Sequence, residues 1–100
     1  MVTYLNKNEK LTDIIKDDIT VVDFYATWCG PCRMLSPVLE EISNENIKVI
    51  KVDIDQAEEL TRSFGIMSVP TIQIYKEKEL KKQITGYLSK EELMEIIKTI

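Results

Sequence analysis

The sequence predicts an α/β protein: a mixed central β-sheet flanked by helices, in the order βαβαβαββα. Three observations carry this. Ile19 to Ala26 is a nearly continuous apolar and β-branched run, the pattern of a strand covered on both faces. Strand-like and helix-like stretches alternate along the chain, which implies parallel strand pairs joined by crossovers. The last two strand-like stretches are separated only by Lys76-Glu77-Lys78-Glu79, too short for a crossover, so they form an antiparallel hairpin.

Each element has its own signal. Val2 to Leu5 reads as an edge strand, and Leu11, Ile14 and Ile15 suggest a short helix after Asn8. Ile19 to Ala26 is the buried strand. Leu35, Val38, Leu39 and Ile42 follow the i, i+3, i+4, i+7 spacing of an apolar helix stripe. Ile47 to Ile54 alternates as a second buried strand. Asp55 with Glu58 caps a helix carrying Ala57, Leu60 and Phe64, and Gly65 supplies its stop. Thr71 to Tyr75 and Leu80 to Thr85 are the hairpin strands. Ser89-Lys90-Glu91-Glu92 is a capping box that opens a last helix with Leu93, Ile96, Ile97 and Ile100 on one face.

Composition narrows the function classes. At 100 residues, 44% hydrophobic and 30% charged, the chain suits a single domain spanning 1–100. A net charge of −4 argues against nucleic acid as a partner and gives no support for anchoring to anionic lipid. No apolar run approaches the roughly 20 residues of a membrane span. The start, Met1-Val2-Thr3-Tyr4-Leu5-Asn6-Lys7, lacks a charged segment followed by an apolar one. The expectation is a cytoplasmic monomer that binds neither membrane nor nucleic acid. The only two cysteines, Cys29 and Cys32, sit three apart, and in a reducing compartment such a pair is catalytic or metal-binding more often than structural.

Trp28-Cys29-Gly30-Pro31-Cys32 follows the first buried strand and opens a helix. Unpaired backbone N–H groups and the macrodipole favour negative charge at a helix start, so a thiolate there is stabilised and more of it is nucleophile. Cys29, nearer the helix start and solvent, is the attacking thiolate; Cys32, one turn in, is the sulfur that attacks back. Pro31 fits the first helical turn, and Gly30 relieves crowding where a partner's backbone approaches. Half of a zinc site is one alternative, but zinc takes about four ligands and the chain has no His and no third Cys. A structural disulfide is another, although so short a loop constrains the unfolded chain little.

The segment Val22-Asp23-Phe24-Tyr25-Ala26-Thr27-Trp28-Cys29-Gly30-Pro31-Cys32 strongly resembles the thioredoxin family, as do Phe64-Gly65-Ile66-Met67-Ser68-Val69-Pro70-Thr71 and Gly86. The resemblance covers essentially the whole chain. It implies the thioredoxin fold and a protein-disulfide reductase working by dithiol–disulfide exchange, recycled by a thioredoxin reductase. Its partners would be disulfide-containing proteins, and it would need no cofactor beyond the redox-active Cys29–Cys32 disulfide. Asp23 matches the family's buried aspartate, a proton acceptor for Cys32, and Lys51 the lysine facing it from the neighbouring strand. Alternatively, Asp23 is a polar residue tolerated near a strand end and Lys51 a strand residue reaching for solvent.

The same resemblance makes Pro70 a cis-proline and Val69 the position whose backbone pairs with an extended substrate. Trp28, Gly30, Pro31, Val69, Pro70 and Gly86 would then form a flat apolar docking surface. Pro37 matches the proline that kinks the family's active-site helix. Two positions depart from the family pattern: Tyr25 stands where Trp is frequent, and Lys78 where the last hairpin usually carries Gly. If that turn needs a left-handed residue, Lys costs about 1 kcal/mol. Two rival functions remain at this level: a thiol oxidase or isomerase, and a non-catalytic subunit that uses the same surface to hold a partner enzyme.

Overall fold

The computed structural model describes residues 2–5, 9–15 and 18–100. Asn8, before the expected first helix, and Met1, Asn6 and Lys7 of the N-terminal reading lie outside the described residues. The elements follow the expected order: β1 (Val2–Tyr4), α1 (Leu11–Ile14), β2 (Ile19–Tyr25), α2 (Gly30–Ser43), β3 (Lys48–Asp53), α3 (Glu58–Ser63), β4 (Thr71–Lys76), β5 (Glu79–Thr85) and α4 (Lys90–Thr99). The strands form one sheet in the order β1-β3-β2-β4-β5. β3 runs parallel to β1 and β2, whereas β4 is antiparallel to both β2 and β5.

The alternation of side chains along each strand builds a core on both faces of the sheet. Val21, Val49, Ile72 and Ile74 pack with Leu35, Leu39 and Ile42 of α2 and with Leu93 and Ile97 of α4. Val22, Phe24, Ile50, Val52 and Tyr75 pack on the opposite face with Leu11 and Ile15, and Leu60 and Phe64 close over them. Thus β2, in the middle, feeds both cores. The capping box at Ser89 and Glu92 is fully formed and fixes the start of α4. Ile100 lies just past α4 rather than within it, though it still packs against the core.

One expected cap is not made. Asp55 does not cap α3; that helix begins at Glu58 behind Ala57, with no side-chain cap. The physical reason is competition, because the Asp55 carboxylate accepts the Trp28 indole N–H at 2.9 Å. Ala57 and Phe64, expected inside the helix, therefore flank it, and Gly65 at φ 67° still provides the left-handed stop. The β4–β5 hairpin turns through Glu77 and Lys78 at φ 53° and 67°. Two successive left-handed residues are the mark of a type I′ turn, so the conformation anticipated for Lys78 is present and Glu77 shares it.

Candidate active site

The C-terminal end of β2 delivers the chain to α2, and the cysteines sit at that junction. Cys29 is the N-cap of α2 with extended backbone, and its sulfur faces the Cys32 backbone N–H at 3.2 Å. Pro31 occupies the first turn, where no N–H is needed. Cys29 and Cys32 are joined as a disulfide with their Cα atoms 5.3 Å apart. They pack with Ala26, flanked by Tyr25, Ile54 and Val69, and are 6% and 2% exposed. Downstream, Pro37 lies inside α2, which runs on past it to Ser43.

A second segment closes the site from across the sheet. The Val69–Pro70 peptide is cis, and the Val69 carbonyl oxygen lies 3.7 Å from Cys29 Sγ. The Pro70 carbonyl accepts the Gly86 N–H at 2.8 Å. Gly86 has φ 94°, a conformation that L side chains rarely adopt, so glycine is required there. Gly30 is different: a Cβ at that position would meet nothing within 4 Å, so the space above it is open for an incoming chain.

Trp28, at 65% exposure, stands beside the disulfide with its indole N–H held by Asp55. The sequence reading missed three neighbours. Met34, Met67 and Tyr87 are also large, apolar and exposed, and each lies within two residues in sequence of a predicted site residue. Their signal was proximity alone.

The polar part of the site is buried. Asp23 is fully buried in β2, and neither carboxylate oxygen has a hydrogen-bond donor. Burial pushes its pKa from 3.8 up to about 7, against the opposing pull of Lys51. Lys51 is paired with Asp23 in the β2–β3 register. It does not reach for solvent, being only 6% exposed. Its ammonium donates to Ser36 Oγ at 3.2 Å and lies over the Tyr25 and Tyr4 rings, at 4.6 and 5.7 Å from their centroids. Ser36, Tyr4 and Tyr25 were not assigned a part in this arrangement from sequence. A helix periodicity argument could have found Ser36, four residues after Cys32 on the same face of α2. Strand alternation could have found Tyr25, two residues after Asp23. Among the described residues, no group of three or more His, Cys, Asp or Glu side chains converges as a metal site. No described helix is long and apolar enough to cross a membrane.

Comparison with known proteins agrees with this geometry. The thioredoxin family profile matches residues 1–99. The thioredoxin of Listeria monocytogenes is 50% identical over 84 residues, covering 81% of this chain and 82% of its own length. That of Bacillus subtilis is 38% identical over 84 residues, covering 81% of each chain. Among solved structures, a mutant thioredoxin from Halobacterium salinarum superposes with a TM-score of 0.89 at 31% identity, covering 98% of this chain and 88% of its own. Chloroplastic thioredoxin z also reaches 0.89, at 34% identity, covering 98% of this chain and 92% of its own.

Proposed function

The chain belongs to the thioredoxin family and is a thiol–disulfide oxidoreductase, and from that premise we propose how its residues divide the work of reducing protein disulfides. The observation that carries the reading is the Cys29–Cys32 disulfide at the start of α2, with the Val69 carbonyl beside Cys29. In the reduced form, the Cys29 thiolate attacks one sulfur of a substrate disulfide. The other substrate sulfur leaves as a thiolate, and a mixed disulfide forms. Cys32 then gives its proton to Asp23, and its sulfur attacks Cys29 Sγ. The second substrate sulfur leaves, and the substrate carries away the two electrons that the dithiol loses.

Several features support these roles. The helix start favours a thiolate at Cys29. A buried carboxyl with a pKa near 7 is poised to take a proton at neutral pH. The substrate docks as an extended segment across Trp28, Gly30, Pro31, Val69, Pro70 and Gly86, paired to the Val69 backbone in the manner of an added strand. A thioredoxin reductase regenerates the dithiol. The pair itself is the electron store, with no bound cofactor, in a cytoplasmic monomer whose residues 1–100 act as one domain.

The test is insulin-disulfide reduction with dithiothreitol as electron source, run on two variants. Cys29→Ser abolishes reduction. Cys32→Ser attacks but does not resolve, so it accumulates mixed disulfides with cell proteins on a non-reducing gel. Equal trapping by both variants removes the assignment of attacking and resolving sulfurs. Survival of function in the double variant would indicate a holding role in place of a reductase.

A further inference from the structure

Among the described residues, Lys51 carries the one positive charge that acts on the Asp23 carboxyl, yet it spends its hydrogen bond elsewhere. Its ammonium is held from three elements at once: by Ser36 Oγ of α2 at 3.2 Å, by the Tyr25 ring of β2 at 4.6 Å and by the Tyr4 ring of β1 at 5.7 Å. Both oxygens of Asp23, on the adjacent strand and at the same register, are left without a donor.

We propose that Ser36 is a positioning residue: by accepting from Lys51 it holds the cation beside the Asp23 carboxylate but off it, which keeps that carboxylate free to receive the Cys32 proton. A direct ammonium–carboxylate bond would favour the charged acid strongly and make it a poor proton acceptor near neutrality. An ammonium at a short remove gives a weaker, through-space pull and leaves both oxygens open. The rings assist, because a cation over an aromatic face is stabilised without being neutralised.

The other groups around Asp23 do not supply this control. From β4 its register partner is the apolar Ile72. On the β2 and β1 side the titratable groups are Tyr25 and Tyr4; the Tyr25 phenol is raised by burial first and then by Asp53, Tyr4 and Asp23. It is therefore neutral at physiological pH. From α2 the nearby ionisable groups are the cysteines, which are joined. Lys51 is the charge that bears on Asp23, and Ser36 is the polar group that fixes where it rests.

This inference rests on the reading of Asp23 as proton acceptor, and two measurements separate them. The first is the ¹³C carboxyl titration of Asp23 by NMR in oxidised wild type, Ser36→Ala and Ser36→Thr. Loss of the hydroxyl in Ser36→Ala releases Lys51 onto the carboxylate, and the midpoint falls by about half a pH unit or more. Ser36→Thr keeps the acceptor and retains the wild-type midpoint. The second is the pH profile of the single-turnover resolving step, whose inflection moves down with the titration in Ser36→Ala. An unchanged or raised midpoint in Ser36→Ala, or a Ser36→Thr variant that behaves like it, overturns the positioning role. If the titration shifts while the rate profile does not, Ser36 positions Lys51 but Asp23 is not the acceptor. A lower rate with both the titration midpoint and the inflection unmoved marks a merely structural effect and also overturns the proposal.

Discussion

Asp23 links the chemistry of one residue to the stability of the fold through a sign that can be worked out. The folded state holds its proton with a pKa near 7, whereas an exposed carboxyl of this type titrates near 3.8. Below the lower value both folded and unfolded chains are protonated, and the shift has no effect on stability. As pH rises, the unfolded chain releases the proton first, so stability falls progressively until the folded carboxyl has also ionised. Asp23→Ala is therefore expected to stabilise the protein at neutral pH, by on the order of 2–4 kcal/mol before any loss of packing, and to change little near pH 4. Urea melts at the two pH values check this. A variant less stable than wild type at neutral pH would contradict the burial argument. The same variant resolves mixed disulfides slowly, which single-turnover reduction reads directly.

Among the elements, the β4–β5 hairpin is the one whose sequence fits its geometry least. Glu77 and Lys78 both adopt left-handed backbone, where type I′ turns favour Asn followed by Gly. Replacing the pair, Glu77→Asn with Lys78→Gly, is expected to raise stability by about 1 kcal/mol without touching activity, since the turn is at the far end of β4 from Pro70. Denaturant midpoints and insulin reduction measure the two halves. The same element shows what sequence reading reaches. Local signals were legible: the β-branched run of β2, the apolar stripe of α2, the Ser89 capping box, and the Trp28–Cys32 motif at a helix start. Boundaries failed where a side chain had a distant use, as when Asp55 was drawn to Trp28 and left α3 uncapped. The Ser36–Lys51 contact was not legible either. It joins two residues 15 apart on different elements; the spacing of α2 puts Ser36 on the face of Cys32, but nothing in it says that this serine meets a lysine.

At the scale of the whole molecule, the sheet has two cores and one shared wall. Val21 faces the α2 and α4 side, while Val22 and Phe24 face the other. Damage on one side is therefore expected to bring down both. Leu39→Ala, a fully buried truncation in α2, should cost about 2–5 kcal/mol. Trp28 fluorescence and far-UV circular dichroism should report one coincident transition in urea. Separated curves would mean that the faces unfold independently.

The sheet also has polarity from end to end. The disulfide, Pro70 and Gly86 gather at one end of β2, β4 and β5, and the Glu77–Lys78 turn lies at the other. The six residues of β4 separate them by roughly 20 Å. That distance makes the turn a natural point of attachment. A peptide inserted there, or a bead or electrode coupled through it, leaves the sulfurs facing the liquid. A tethered molecule of this kind keeps its reactive end presented to dissolved proteins, whatever holds the opposite end.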